Sequence, residues 1–179
     1  MVLLFTSMEI KSTFKNRLGQ VLGYVYYEGL DPMKNLDGKV LHGVHGYCFY
    51  EDTLIIVYSE KKKSWGLPGG GIESGEKIEE ALVREIKEET NMKVLYQELI
   101  GFVDITESER VIRMTRSFCM VEPYGDFVAD EDVEGDVTEI KLIDPDDYKK
   151  YFDWGVIGDH IMKKAVELKN KMIVYSHGK

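Results

Sequence analysis

A chain of 179 residues, 44% hydrophobic and 31% charged, is long enough for one domain with a sizeable core and too apolar for wholesale disorder or a fibrous repeat. Its 32 acidic residues against 23 basic ones leave a formal charge of -9. That balance works against nonspecific attraction to nucleic acid or anionic membranes, so any phosphate handled here needs help from cations. Cys48 and Cys119, far apart in the sequence, make no disulfide framework and read as small strand-core residues of a reducing compartment.

In chain order, the apolar run at 2–5 is too brief for the core of a secretory signal and no segment approaches membrane-spanning length, so a soluble, cytoplasmic protein is the expectation. Residues 1–41 hold one strand-like run, 21–27, and a turn-rich stretch containing Pro32 and Gly38. They are expected to form an N-terminal elaboration packed on a main domain of residues 42–179. The β-branched and aromatic runs 44–50 and 54–58, separated by Glu51, Asp52 and Thr53, predict a hairpin that delivers the chain into a glycine-rich loop. Beyond it, strands are predicted at 94–103, 111–121 and 139–143. The spacing of Ile157, Ile161, Ala165 and Leu168 predicts a C-terminal helix over 156–172.

Between these lies the most informative stretch. Pro68 is followed by Gly69, Gly70 and Gly71, glycines that let the backbone bend sharply and a ligand approach the main chain. A helix is predicted over 77–90, with Ile78, Ala81, Leu82 and Ile86 on its core side. Glu85, Glu88 and Glu89 are three and four residues apart and continue that same side one turn further on. An acidic helix usually presents its charges to solvent, but like charges at this spacing repel, and partial burial would raise the cost unless a cation compensates. A hard divalent cation is the natural compensator. Arg84 has two partners in helical reach, Glu80 four residues before it and Glu88 four residues after, and the spacing alone leaves both open.

Gly70, Glu76 and the run Arg84, Glu85, Glu88 and Glu89, spaced over residues 70–92, resemble the signature box of the Nudix hydrolases. The resemblance extends over about residues 42–150 and implies an α/β fold, the family's α/β/α sandwich around a mixed β-sheet. One position departs from the pattern: Asn91 stands where the family usually has glycine, at a helix C-terminus where a left-handed residue is needed and asparagine is the commonest substitute.

The resemblance further implies a magnesium- or manganese-dependent enzyme. Its substrate would be a small-molecule nucleoside diphosphate derivative, cleaved at the pyrophosphate linkage by water attack on phosphorus. Carried over by position, Glu85, Glu88 and Glu89 are metal ligands together with the main-chain oxygen of Gly70. Glu88 also assists deprotonation of the water, Arg84 holds the carboxylates in register, and Glu76 stands behind them. A glutamate from a later loop often completes such sites, and Glu134, in the acidic segment 130–136 ahead of the strand at 139–143, is the candidate. A ligand-sensing, regulatory Nudix-like domain without turnover is the alternative, though such domains tend to lose the box carboxylates that this chain keeps.

The family's markers for particular substrates are absent around residues 106–110. The acidic balance disfavours a nucleic-acid partner, and the extra N-terminal strand would suit a homodimer. Trp65, Tyr47, Phe49 and Phe102 are aromatic candidates for stacking on a base, each read first as ordinary packing. His42 and His45 invite a second metal site, but no further Cys or His joins them at zinc-like spacing.

Overall fold

The computed structural model describes residues 7–16, 18–127 and 136–177. Strands β1 (Met8–Lys15), β2 (Val21–Glu28), β3 (Lys39–Tyr50), β4 (Thr53–Ser59), β5 (Ser64–Gly66), β6 (Met92–Glu107), β7 (Arg110–Pro123) and β8 (Val137–Ile143) form one sheet in the order β1-β2-β6-β7-β3-β4-β5, with β8 paired to β4. Helix α1 (Ile78–Thr90) covers one face, and a 3-10 turn (Pro145–Lys150) followed by helix α2 (Gly155–His177) covers the other.

The sheet is mixed. β3 and β7 run parallel at its centre, and the remaining pairs are antiparallel. β3 is apolar on both faces because both are covered, as central strands between two helical layers require. Val44 and Cys48 pack beneath α1 with Ala81, Leu82 and Ile86, while Tyr47 and Phe49 pack toward α2 with Ile157, Ile161 and Ala165. Cys48 and Cys119 are register partners across β3 and β7, both free and buried. Among the described residues, no helix is long and apolar enough to cross a membrane.

The hairpin expected around residues 51–53 is present, turning through Glu51 in a left-handed conformation, φ 52°. Every other strand and helix predicted from residue 77 onward is also present, most of them longer at their ends. The N-terminal region differs from expectation: it contributes two strands, where one strand-like run is visible in the sequence. β1 alternates half-buried Ile10 and Phe14 with exposed Glu9, Lys11 and Lys15, a charged outer row suited to a sheet edge but poor in the β-branched residues that mark strands. β2 pairs with β6, so the N-terminal hairpin extends the sheet itself. The junction at residues 41 and 42 falls inside β3.

A buried charge network ties residues 31–39 to the sheet. Arg113, 2% exposed on β7, grips Asp104 of β6 with two bonds of 2.8 and 2.9 Å and donates to the carbonyls of Pro32 and Lys34. Lys39, at 2.7 Å, is a second cation on Asp104, and the Arg113 guanidinium lies 4.1 Å from the Phe102 ring centroid. Removing one partner leaves the other buried and uncompensated. Asp104→Asn is therefore expected to lower stability by about 3–5 kcal/mol in urea unfolding; a loss below about 1 kcal/mol would refute the assigned role.

Candidate active site

The glycine loop leaves β5 and returns along β3 before α1 begins. The Val44 N–H donates to Gly70 O at 3.0 Å and the Gly46 N–H to Pro68 O at 2.9 Å, clamping the loop against the strand. Glycine matters at two positions there, and at the first it is obligatory. Gly69 has φ +144°, and a Cβ on it would stand 2.1 Å from Val44 O. A Cβ on Gly70 would stand 2.5 Å from Glu85 Oε2, so the carboxylate of Glu85 occupies the place of that absent side chain.

Helix α1 delivers the acidic groups. Its N-terminus is capped by the Glu80 carboxylate, which accepts the Lys77 N–H at 3.1 Å. Its C-terminus closes on Asn91, left-handed at φ 52° and ψ 36°, as expected of the residue that replaces glycine. Ala81, Leu82 and Ile86 are buried, and Glu85, Glu88 and Glu89 are half-buried on the continuation of that side.

Arg84 organises them. Its guanidinium binds Glu76 through two bonds of 2.9 Å, and its Nη1 reaches Glu85 at 2.8 Å and Glu88 at 3.3 Å. Nη2 also donates to Gly71 O at 2.8 Å. Of its two helical candidates Arg84 thus takes Glu88, while Glu80 lies 3.9 Å from Lys77. Glu89 takes the Gly69 N–H at 2.7 Å. Among the described residues, no three His, Cys, Asp or Glu side chains stand converged as a metal cluster. Glu85 and Glu88 lean to Arg84, and Glu89 leans to the loop. Glu134 lies outside the described residues.

These groups share a cavity of about 740 Å³ with Gly70. Its far side is walled by Phe14 of β1, Tyr24 of β2, Met114 and Arg116 of β7, and Trp154 ahead of α2. None of the four aromatics singled out in the sequence lines this cavity. Tyr47 and Phe49 are wholly buried, Phe102 stacks on Tyr27, and Trp65 packs on Tyr58 and Tyr151. Phe14, Tyr24, Arg116 and Trp154 carried no signal, since each looks like ordinary strand or loop material until the sheet order brings them together.

His42 sits at a β-bulge between Leu41 and Gly43 and is exposed at the cavity rim. His45 lies deeper, with Arg116 Nη1 at 3.1 Å from its Nδ1. Burial, reinforced by that guanidinium, pushes the His45 pKa well below its ordinary value. Asp136, the last residue of the acidic segment 130–136 though not the candidate named there, also lines the cavity and accepts from Ser59 Oγ and the Lys61 N–H, each at 2.8 Å.

The NUDIX domain model matches residues 43–164, more than half of the chain, and the protein belongs to the Nudix family. It is similar over 35 residues, at 60% identity, to the nucleoside triphosphatase NudI of Escherichia coli; that match covers 20% of this chain and 25% of NudI. The chain spans a quarter or less of the length of the first curated relatives that it matches. Among solved structures, the Bacillus subtilis pyrophosphohydrolase BsRppH superposes with a TM-score of 0.63 at 20% identity, covering 87% of this chain and 96% of that one. The NUDIX domain of Shewanella oneidensis NrtR, solved with ADP ribose, superposes at 0.55 with 17% identity over 78% of this chain and 93% of that one. At these identities the structural matches speak for the fold, which is the α/β/α sandwich around a mixed sheet expected from the sequence.

Arg84 beside it pulls the Glu76 carboxyl from its ordinary 4.5 down to about 2. A depressed carboxylate stabilises the fold above its unfolded pKa and loses that contribution as pH falls through the folded one. Glu76→Gln is expected to cost stability at pH 5–7, with the gap from the parent closing as pH falls from about 4.5 toward 2. Thermal unfolding of both proteins across that range tests it; a constant gap would remove the ion pair as the cause.

Proposed function

We propose that the chain is a magnesium- or manganese-dependent hydrolase that cleaves the pyrophosphate linkage of a small nucleoside diphosphate derivative. The observation that carries this reading is the placement of Glu85 against Gly70, with Glu88 and Glu89 on the same cavity wall. An all-oxygen donor set of three carboxylates and a carbonyl suits a hard divalent cation, and Gly70 O keeps a lone pair beyond its bond from Val44. Glu85, Glu88, Glu89 and Gly70 O would hold the ion, with Glu134 retained from its position in the sequence as a further ligand. When bound, such an ion offsets substrate charge and lowers the pKa of water.

The remaining work falls to the chain. Arg84 positions Glu85 and Glu88 at a fixed spacing, and Glu76 fixes Arg84 in turn. Glu88 accepts a proton from the attacking water as its oxygen bonds to phosphorus, while the bridging P–O bond breaks and its electron pair leaves with the departing phosphate. The glycine loop lets the pyrophosphate approach the main chain without meeting side chains.

Hydrolysis is expected to stop in excess chelator and to return with magnesium or manganese. Glu88→Gln should lower turnover by roughly 10²–10⁴ with the fold intact by circular dichroism. Undiminished turnover in chelator, or a variant within a few-fold of the parent at saturating metal, would overturn the assignment. Glu134→Gln is expected to raise the metal concentration for half-maximal activity and Glu131→Gln to leave it unchanged; identical titrations would return the segment to a solvated loop.

A further inference from the structure

Two arginines on β7 are almost completely buried, on opposite faces of the strand, and their surroundings differ. Arg113 is neutralised by Asp104 and has its donors engaged. Arg116 is 4% exposed, lines the cavity beyond the glutamates, and pairs with no carboxylate among the described residues. Its Nη1 is used internally, donating to Thr115 O at 3.0 Å and to His45 Nδ1 at 3.1 Å. An arginine only donates, so Nδ1 accepts, and the neutral ring carries its proton on Nε2. The opposite edge is unused: Nε has no hydrogen-bond partner, and none is found for Nη2 among the described residues.

A buried donor without a partner, as Nε is here, is costly, of order 1–3 kcal/mol, and a guanidinium edge that carries one is satisfied when a ligand brings two acceptors. Two chemistries fit a guanidinium fork, an anionic phosphate and the O6/N7 edge of a 6-oxopurine. The walls decide between them. Phe14, Tyr24, Ile105, Met114 and Trp154 surround this end of the cavity, and they offer a flat ring apolar faces but would leave the other oxygens of a phosphate unsolvated. Further phosphates would find Lys61 and Lys62, both exposed, on the same cavity. Trp154, with its ring centroid 5.6 Å from the guanidinium carbon, supports the buried cation through its π face.

We propose that Arg116 is the base-reading residue of this site, its Nε and Nη2 edge donating two hydrogen bonds to O6 and N7 of a guanine-type base in the compartment walled by Phe14, Tyr24 and Trp154. An adenine places its N6 amino donor against a donor of the fork and is rejected. The β1–β2 hairpin thereby becomes part of the substrate pocket. The assignment rests on the nucleotide reading of the site, but not on turnover.

Calorimetric titration with GMP, IMP, AMP and 7-deaza-GMP, with and without magnesium, tests it without any reaction occurring. GMP and IMP, which share O6 and N7, should bind alike. AMP and 7-deaza-GMP should each bind roughly 10- to 100-fold more weakly. Arg116→Lys, which keeps the charge but not the fork, should bring GMP to the level of AMP, and Arg116→Met should do the same. If either variant fails to fold, the 7-deaza comparison on the parent protein decides. Equal binding of GMP and AMP by the parent, an equal loss of both in Arg116→Lys as a phosphate reader would give, or binding of none of the four nucleotides would each overturn the proposal. Purine discrimination in a protein without metal-dependent hydrolysis would sink the hydrolase and leave Arg116 standing. Hydrolysis without discrimination would do the reverse.

Discussion

One guanidinium holds the acidic end of the cavity together. Glu76, Glu85 and Glu88 would repel one another at their observed spacing, and Arg84 bonds to all three while also holding the Gly71 carbonyl. Arginine suits the task because its planar fork presents donors in several directions at once, where a lysine would present a single point of charge. The bond to Gly71 links the helix to the loop. The orientation of the carboxylates and the course of the glycine segment are therefore set by the same side chain, and neither can shift without the other.

The sheet sets what faces that acidic wall. Because β3 and β7 lie side by side in parallel, His45 and Arg116 are register neighbours. The loop clamped on β3 then brings Gly70 to the same level of the sheet. β6 carries the N-terminal hairpin on its outer side, and the order of strands places Phe14 and Tyr24 across the cavity from α1. The site thus has two ends built by different means: a compact local motif that supplies the carboxylates, and a long-range assembly of four elements that supplies the aromatic and cationic wall.

That division explains how much could be read in advance. The carboxylate end is encoded within residues 69–91, where helical period, charge spacing and the glycine run all act over one or two turns, so α1, its buried side and its left-handed cap at Asn91 were legible. The strands at 44–58 and from residue 92 onward were also legible from their β-branched and aromatic runs, whereas β5, three residues long, and the first turn-flanked residues of β3 were too short or too polar to stand out. β1 was not, since its Glu and Lys residues mask the alternation. Arg116 was hidden for a different reason. Sequence shows a cation among strand residues but not whether a carboxylate meets it, and only the pairing of Arg113 with Asp104 separates two arginines that look alike along β7.

The cysteine pair has a consequence of its own. Cys48 and Cys119 sit side by side on β3 and β7 beneath α1, sealed by Leu82 and Ile86, and burial pushes the Cys48 thiol well above its ordinary pKa. A reagent in solution reaches neither sulfur while the helix is seated. Since α1 also carries Glu85, Glu88 and Glu89, whatever lifts the lid over the thiols disassembles the acidic wall at the same moment. The two cysteines are in effect a built-in clock: the rate at which they become alkylated measures how often the helix that carries the carboxylates comes away from the sheet.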